Sequence, residues 1–279
     1  MDTIQAIIMG FVQGLSEFLP ISSSAHIVFA SSIYKLLTGQ NLSTGVEGEE
    51  VFFDILIHLA TLLAILIFFR KDILDILKSF FGGLFNKEKR DQDFLTSIYI
   101  IIATFFTGII ALALKDITHS LIENPIIVSI LLIGTGFVLL FSEKYKKGEK
   151  EIDKKIAIMI GIAQGLAVFP GLSRSGLTIA TAVFNGINRT KAAKFSFLLS
   201  APIILLASTI YPLMELNTQE IATFNIKAMI LGTLVSFVTG YICIKYFMQF
   251  LSKHNLKCFA YYCFITGILM TTLFAFFKG

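Results

Sequence analysis

Residues 13–24 read QGLSEFLPISSS, and residues 164–175 read QGLAVFPGLSRS. Aligned without a gap, the two stretches match at six positions that are each 151 residues apart: the Gln, the Gly, the Leu, the Phe and two of the Ser. Both stretches place polar or charged side chains inside apolar sequence, and such groups are costly to keep in a membrane. The repeat therefore predicts that the two stretches build one shared functional site.

The composition indicates a polytopic membrane protein. Of 279 residues, 55% are hydrophobic and only 15% are charged, and the mean hydropathy is +0.79, far above the usual balance of a soluble domain. The N-terminus carries Asp2 and no Lys or Arg, so it lacks the basic region of a cleavable secretory signal and is expected to belong to the mature fold. The formal charge of +4 is modest, and the expected partners are a membrane and a lipid, with no nucleic acid.

The chain has three cysteines, Cys243, Cys258 and Cys263, all in or beside apolar segments of its last third. They form no CxxC pair and show no Cys/His spacing of a metal site. We therefore expect all three to be small buried hydrophobic residues.

Six apolar runs are long enough, or nearly long enough, to cross a bilayer as helices, which takes about 20 residues. Four shorter runs come as two pairs, 3–18 with 22–37 and 156–169 with 176–188. Each pair is broken by a Pro/Gly/Ser turn, whose backbone groups would lack partners if they faced lipid. The expected fold class is an all-α integral membrane protein with six transmembrane helices and two re-entrant helix hairpins. The predicted spans are residues 52–69, 94–114, 125–141, 190–212, 225–248 and 257–277.

The Lys and Arg residues predict the orientation of the spans, because cytoplasmic loops carry an excess of them. Loops 70–93 and 142–155 hold six each, and residues 189–194 and 245–257 hold three each, so 18 of 23 basic residues would lie inside. This assignment requires that the hairpins do not cross the membrane. The loops expected outside carry the acidic residues Glu47, Glu49, Glu50, Glu215 and Glu220.

In this topology the first hairpin enters from outside and the second from inside, and each is followed by three spans. The chain is thus expected to form one membrane domain of two inverted repeats, about 1–141 and about 156–279. In such folds the broken segments meet near the membrane midplane around a common site. We expect segments 20–24 and 170–176 to face each other.

Two charged residues stand out in these segments. Glu17 lies four residues after Gln13, so on a helix the carboxylate and the amide share one face and could hold a cation or a water. Arg174 requires an anionic partner or water in an apolar hairpin, and its planar guanidinium matches phosphate oxygens. The alternative is a permanent ion pair between Arg174 and Glu17 that only holds the two halves together.

Serines follow the turns of both hairpins. Ser22, Ser23 and Ser24 open a short helix, where backbone amides and hydroxyls converge at the positive end of the helix dipole and could bind an anion. Ser173 and Ser175 mirror them in the second half. A single serine at a helix start is often only an N-cap, but three in a row exceed what capping needs.

Histidines and glycines complete the candidate set. His26 lies four residues beyond Ser22 and could take a proton from a serine or attack phosphorus itself, although an isolated histidine is usually a hydrogen-bonded core group. Asp54 and His58, also four residues apart, could support the site or be only structural. Glycines and prolines of both stretches are expected to shape the backbone, the glycines by allowing close approach and the prolines by stopping helices: Gly14, Gly165, Gly171, Gly176, Pro20 and Pro170.

Together these groups suggest a phosphate ester or anhydride bound inside the membrane, with a lipid phosphate as the natural substrate. The spacing alone does not separate hydrolysis from transport, because inverted repeats are also common in alternating-access carriers. A transporter or flippase of such a lipid phosphate is therefore the alternative function. A structural scaffold is a weaker reading, since it leaves the repeated serines unexplained.

The motifs resemble those of a known family. QGLSEFLPISSSAH at 13–26 resembles the (E/Q)GxxEFLPxSSxxH motif, and PGLSRSG at 170–176 resembles the PGxSRSG motif, of the undecaprenyl-pyrophosphate phosphatases of the bacitracin-resistance type. The stretches IHLATLLA at 57–64 and GIAQG at 161–165 fit as well, so the resemblance covers the whole chain. Two positions depart from the usual motif: Gln13 stands where Glu is common, which leaves one carboxylate, and Ala25 replaces the usual Gly.

The resemblance implies an enzyme of the bacterial plasma membrane that removes the terminal phosphate from undecaprenyl diphosphate, recycles the carrier for cell-wall synthesis and confers resistance to bacitracin. It further implies a divalent cation (Mg or Ca), a possible homodimer and a site that opens to the outer face. The residues expected to act in catalysis are Glu17, His26, Ser22, Ser23 and Arg174; those expected to bind the substrate phosphates are Ser24, Ser173, Arg174, Ser175, Gly171 and Gly176; those expected to hold metal are Glu17 and Gln13.

Overall fold

The fold is helical throughout the residues that the computed structural model describes, 1–39, 48–122, 124–144, 148–215 and 224–278. Glu47, Lys146, Lys147 and Glu220, which entered the orientation argument, lie outside these ranges. The described residues form eleven α-helices and a 3-10 turn at Lys87–Lys89: α1 Thr3–Ser16, α2 Ser23–Leu37, α3 Gly48–Phe68, α4 Arg70–Phe85, α5 Gln92–Ile122, α6 Pro125–Ser142, α7 Lys154–Leu166, α8 Arg174–Phe184, α9 Arg189–Glu215, α10 Ile226–Lys253 and α11 Lys257–Lys278.

The prediction of six membrane-spanning helices is confirmed by length and composition. Helices α3, α5, α6, α9, α10 and α11 each contain a window apolar enough to cross a bilayer. The largest difference in bounds is at α5, predicted as 94–114, which runs from Gln92 to Ile122.

Two expectations from the sequence are wrong. Residues 70–93 were expected to be a loop, but Arg70–Phe85 form the amphipathic helix α4. The many charged residues of this segment obscured the helical spacing of its apolar residues. One of these apolar residues, Ile76, is buried. Among the cysteines, Cys243 and Cys263 are buried as expected, whereas Cys258 is exposed on the first turn of α11.

The first short pair is α1 and α2, joined by residues 17–22. These residues and the first turn of α2, together 17–26, are what we call the first tip. The side chain of Asp2 caps the start of α1 by accepting a hydrogen bond from the backbone N–H of Gln5 at 2.8 Å. Ser22 caps α2 in the same way, through the N–H of Ala25 at 3.4 Å. Pro20 lies between the end of α1 and the Ser22 cap, where the backbone nitrogen does not need to donate a helical hydrogen bond.

The second short pair is α7 and α8, joined by residues 167–173. These residues and the first turn of α8, together 167–177, are what we call the second tip. Asp153 caps α7, and Ser173 caps α8 by accepting from the N–H of Gly176 at 3.0 Å. Gly171 has φ +103°, a conformation that L side chains rarely adopt, so the tight reversal of this tip requires glycine.

Glycines let both pairs pack closely against long helices. Helix α1 lies on α10, where a Cβ at Gly10 would overlap the backbone of Gly232. Helix α7 lies on α5, where a Cβ at Gly161 would stand 2.5 Å from the carbonyl oxygen of Ala103. These small residues allow backbones to approach, as is common between helices in membranes.

Aromatic packing fixes the first tip inside the protein. Phe18 is fully buried and meets the ring of Phe197 on α9 edge-on, with 5.4 Å between the ring centroids. Phe197 in turn contacts Phe69 and Phe247, at 6.2 and 6.1 Å. Because Phe18 directly follows Glu17, this cluster holds the backbone that carries the carboxylate.

Candidate active site

The two tips meet, as the repeat predicts. Arg174, at the start of α8, forms an ion pair through Nη2 with Oε1 of Glu17 in the first tip. A second contact lies beside it, where the hydroxyl of Ser175 donates to the carbonyl oxygen of Leu19 at 2.9 Å. The chain thus brings residues 157 positions apart into one buried cluster.

Glu17 is the centre of this cluster. Its side chain is only 4% exposed, so the charge needs several partners to be tolerated. Besides Arg174 on Oε1, the carboxylate accepts on Oε2 from Nε2 of Gln13 at 3.0 Å and from the hydroxyl of Ser23 at 2.6 Å. The expected pairing of Gln13 with Glu17 on one helical face is therefore present, and Ser23 joins it.

The three serines of the first tip have different surroundings. Ser23 faces Glu17, whereas the hydroxyls of Ser22 and Ser24 lie 3.1 Å apart. Ser22 has φ +68°, and among the described residues it is the only one other than glycine with positive φ. Such a conformation costs about 1–3 kcal/mol and tends to mark functional sites, so the turn at Ser22 is held against local preference.

The second tip repeats this serine arrangement. The hydroxyls of Ser173 and Ser175 lie 3.2 Å apart, as those of Ser22 and Ser24 do in the first tip. Thr135 of α6 holds the backbone here, since its hydroxyl donates to the carbonyl of Gly171 and accepts from the N–H of Ser173, each at 3.0 Å. Gly176 gives its backbone N–H to Ser173, so it serves the cap of α8.

Arg174 has donor capacity left. Its Nη1 is buried and has no hydrogen-bond partner among the described residues. A buried guanidinium nitrogen without a partner is costly, because the desolvation of the donor is not offset. The arrangement therefore suits a ligand that brings anionic oxygens to Arg174.

His26 contacts the serine turn in another way than expected. Its Nδ1 lies 2.8 Å from the carbonyl oxygen of Ser22, and its Nε2 lies 2.8 Å from the hydroxyl of Tyr262 on α11. A carbonyl oxygen only accepts, so Nδ1 carries the proton and Nε2 accepts from Tyr262. The expected proton transfer from a serine hydroxyl to His26 therefore has no hydrogen bond in this arrangement.

His58 is the histidine that approaches the carboxylate. Its Nε2 stands 3.9 Å from Oε2 of Glu17, and its Nδ1 lies 2.8 Å from the carbonyl oxygen of Asp54 and 3.4 Å from the Asp54 carboxylate. Asp54 and His58, four residues apart on α3, thus contact each other, and of the two it is His58 that approaches Glu17.

The side chains around Glu17 show whether a divalent cation could bind there. Among the described residues, no three His, Cys, Asp or Glu side chains lie close enough to hold a metal ion. Oε1 of Gln13 is nevertheless a buried acceptor without a hydrogen-bond partner in the described residues, and it belongs to the amide that touches Glu17. Mg²⁺ commonly takes one or two protein oxygens and completes its shell with substrate phosphates and water. Glu17 and Gln13 fit such a partial site.

Four residues of the cluster were not found from the sequence. Thr135 and Tyr262 lie on spanning helices far from both motifs, and Cys243 and Cys263 donate to the carbonyls of Leu15 and Pro20 at 3.1 and 3.7 Å. A threonine, a tyrosine and cysteines in apolar helices are common packing residues, and no spacing relates them to the repeat. Only their contacts in the fold assign them to the site.

Comparison with known proteins identifies the family of this chain. The sequence profile of the family described as "Bacitracin resistance protein BacA" matches residues 6–269. A protein of Methanosphaera stadtmanae named undecaprenyl-diphosphatase is 38% identical over 98% of each chain. Proteins named undecaprenyl-diphosphatase from Carboxydothermus hydrogenoformans and undecaprenyl-diphosphatase 2 from Halalkalibacterium halodurans are 38% and 36% identical, covering 98% and 97% of this chain and 98% and 95% of their own. The protein belongs to the bacitracin resistance protein BacA family.

Proposed function

We propose that this chain is a membrane phosphatase that hydrolyses undecaprenyl diphosphate to undecaprenyl phosphate and phosphate. This reaction recycles the lipid carrier for cell-wall synthesis and confers resistance to bacitracin. The names of full-length relatives support it and give no support to the alternative of transport. The observation that carries the proposal is the buried Nη1 of Arg174, which has no partner in the described part of the chain and lies next to a serine that donates to a carboxylate.

Arg174 binds the diphosphate in this proposal. Its guanidinium can donate to two phosphate oxygens side by side, and Nη1 is available for the first of them. Substrate oxygens then compete with Glu17 for Nη2. Binding therefore weakens the Arg174–Glu17 ion pair and leaves the carboxylate as a proton acceptor for Ser23.

Ser23 is the attacking group that the geometry favours, because its hydroxyl already donates to Glu17 at 2.6 Å. The bond from Oγ to the terminal phosphorus forms, the bond from that phosphorus to the bridging oxygen breaks, and Glu17 takes the hydroxyl proton. Undecaprenyl phosphate leaves with the bridging oxygen. Water then attacks the phosphoserine, Glu17 returns its proton to Oγ, and the protons of the water remain with the released phosphate.

The helix starts would stabilise the developing negative charge. Ser24 and the backbone N–H groups that open α2 lie at the positive end of that helix, and Ser173 and Ser175 lie at the start of α8. Both helix starts converge where Arg174 meets Glu17. Gly171 and Gly176 contribute indirectly, by shaping the turn and the cap that present these groups.

A divalent cation, Mg²⁺ or Ca²⁺, belongs to the proposal. Glu17 and Gln13 would hold it, together with oxygens of the diphosphate. Bound there, the cation would neutralise phosphate charge and so assist the departure of the leaving group.

The pairs α1–α2 and α7–α8 are proposed to be re-entrant hairpins of two inverted repeats. Equivalent helices exchange partners: α1 packs on α10 of the other half, and α7 packs on α5 of the other half. The glycines of this packing also correspond, since Gly10 and Gly161, as well as Gly14 and Gly165, are each 151 residues apart. This exchange is what a two-fold axis in the membrane plane would produce.

The proposed location is the bacterial plasma membrane, with the basic loops inside and the site open to the outer face. The six candidate spans support a multi-pass protein, and the excess of Lys and Arg in residues 70–93 and 142–155 supports the orientation. A homodimer is part of the proposal on the family resemblance alone.

A trapping experiment tests the assignment of Ser23. Purified protein is mixed with undecaprenyl diphosphate labelled in its terminal phosphate, quenched within a single turnover and digested for mass spectrometry. We expect phosphate on Ser23, and we expect Ser23→Ala to lose about 100-fold or more in phosphate release. Ser22→Ala and Ser24→Ala are the matched controls and should retain phosphoserine at position 23. Full turnover by Ser23→Ala, with no phosphoserine in the wild type, would remove Ser23 from the mechanism.

A further inference from the structure

Helix α4 presents an apolar face that no described residue covers. The exposed residues Leu74, Leu77, Phe81 and Leu84 recur at the spacing of one helical face, and Phe81 is 58% exposed. Phe85 follows at the end of the helix and is 90% exposed. A stripe of large apolar side chains at this spacing indicates a partner surface that is itself apolar.

The opposite face of α4 is anchored to the protein. Ile76 is buried, and a Cβ at Gly83 would overlap the ring of Phe94 on α5. Arg90 closes the turn by donating from Nε to the carbonyl oxygen of Gly83 at 3.0 Å, and Asp72 pairs with Lys194 of α9. The exposed stripe therefore has a fixed direction, away from the helix bundle.

The position of α4 in the chain places it at a membrane surface. It lies between α3 and α5, which are both candidate spans, and it is itself only 16 residues long with charged residues at 70, 71, 72, 75 and 78. It is too short and too charged to cross a bilayer, for which about 20 predominantly apolar residues are needed. Helices with a basic polar face and a Leu/Phe face lie in the interface with the apolar face among the acyl chains.

The charge of the segment selects the lipid. Residues 70–90 contain six basic and three acidic residues, and of the acidic ones Asp72 is already paired with Lys194. Lys71 and Lys78 are exposed and, seven residues apart, lie on one flank of the stripe. Arg70, Lys87 and Lys89 are exposed at its two ends. Lys and Arg side chains near an anionic bilayer surface are attracted to the lipid phosphates.

We propose that α4 is an interfacial helix that docks on anionic phospholipid headgroups, with Leu77 and Phe81 inserted among the acyl chains and Lys71 and Lys78 on the lipid phosphates. A second copy of the chain is a poorer occupant, because symmetric contact through α4 would bring Lys71 and Lys78 of both copies together. The proposal requires that α4 lies at a membrane surface and does not depend on which side of the membrane that is. It also does not depend on the assignment of the catalytic groups.

Lipid quenching tests this proposal in nanodiscs of phosphatidylcholine with and without phosphatidylglycerol. A fluorophore is attached to Phe81→Cys in a Cys258→Ser background, because Cys258 is the exposed cysteine. The matched control carries it at Asp75→Cys, on the polar face of the same helix. At position 81, we expect doxyl-labelled phosphatidylglycerol to quench the fluorophore with an apparent affinity at least about fivefold above that of doxyl-labelled phosphatidylcholine. At position 75, we expect aqueous iodide to quench the fluorophore and the doxyl lipids to leave it unquenched.

Charge reversal sharpens the test. Lys71→Glu with Lys78→Glu should bring the two lipid affinities at position 81 to equality, whereas Lys253→Glu with Lys257→Glu, at another basic segment, should leave the preference unchanged. Phosphate release by each variant checks that the fold is intact. Quenching of position 81 by iodide, equal quenching by both lipids in the parent protein, or a disulfide-linked dimer of the unlabelled Phe81→Cys protein would each overturn the proposal, the last in favour of a second copy of the chain.

Discussion

The two tips share a scaffold and differ in chemistry. Each follows a Gln-Gly-Leu helix end and carries a pair of serine hydroxyls 3.1 or 3.2 Å apart at a helix start. Three of the differences change the chemistry: Glu17 corresponds to Val168, Ser23 to Arg174 and His26 to Leu177. One tip therefore supplies the acid and the hydroxyl that faces it, and the other supplies the cation. Neither half contains a complete site, and the ion pair between the tips joins the two contributions.

The largest effects should follow from removing the differing charges. Glu17→Ala or Arg174→Ala should lower phosphate release from undecaprenyl diphosphate by about 100-fold to 1,000-fold, because each removes the only charge that its tip contributes. Arg90→Ala, which removes an arginine bonded outside the tips, is the matched control and should keep nearly full turnover. If either tip variant stays folded, by its melting curve, and turns over normally, the division of roles between the tips is wrong.

The two glutamines at corresponding positions of the repeat, Gln13 and Gln164, give a paired test. Gln13 donates to Glu17 at 3.0 Å, whereas Gln164 donates to the hydroxyl of Thr107 at 3.1 Å. Gln13→Ala should therefore lower phosphate release by about tenfold, because a hydrogen bond to a charged group contributes a free energy of about this size. Gln164→Ala should change the melting temperature and leave turnover within about twofold of the wild type. Equal loss of turnover in both variants would mean that the halves contribute alike.

A smaller effect is expected at His26, where the rate of chemical modification of the imidazole should change. Tyr262→Phe keeps the ring stacked on His26 but removes the hydroxyl that donates to Nε2. Carbethoxylation of His26 by diethyl pyrocarbonate, followed by mass spectrometry, should become about two- to tenfold faster, since one neutral hydrogen bond is lost. His254, whose Nδ1 also faces a carbonyl, is the internal reference, and Tyr261→Phe is the matched control. An unchanged rate at His26 would show that Tyr262 does not hold this nitrogen.

An ion pair outside both tips should affect stability alone. Burial by itself would raise the pKa of the Glu143 carboxyl, but hydrogen bonds from Arg189 and the backbone N–H of Leu256 hold that pKa below its usual 4.5. Because the folded-state pKa is lowered, the stabilisation is present above pH 4.5 and is lost as the pH falls through the folded-state value. Glu143→Gln should lower the melting temperature at pH 7 by about 3 °C, with a smaller difference in acid and unchanged turnover. A difference that grows on acidification would contradict this assignment.

Much of the fold follows from the sequence because lipid imposes strong constraints. The lengths of the apolar runs give six spans, and Pro20 and Gly171 mark the turns that interrupt the two short pairs. The repeat places Glu17 opposite Arg174 before any contact is known, since only one partner of opposite charge is available at the meeting point. Helix α4 was missed because its charges, at the spacing of an interfacial helix, look like those of a basic loop.

The details of the site depend on packing that no motif encodes. The sequence gives no reason why Ser23, and not Ser22 or Ser24, faces Glu17; the positive φ of Ser22 turns the backbone so that it does. Likewise, His26 meets Tyr262 because α11 passes beside α2, 236 residues further along the chain. The residues that form such contacts show no regular spacing in the sequence, so the sequence does not predict them.

An exchange of the two charges tests the central claim most directly. The double variant Glu17→Arg with Arg174→Glu keeps an ion pair between the tips but moves the acid away from Ser23. Phosphate release from undecaprenyl diphosphate is measured beside a melting curve that reports the fold. We expect a folded protein without turnover, because the acid must lie on the tip that carries the serine. Restored turnover in the exchanged protein would contradict the account, since it would show that the ion pair alone, in either orientation, is what activity requires.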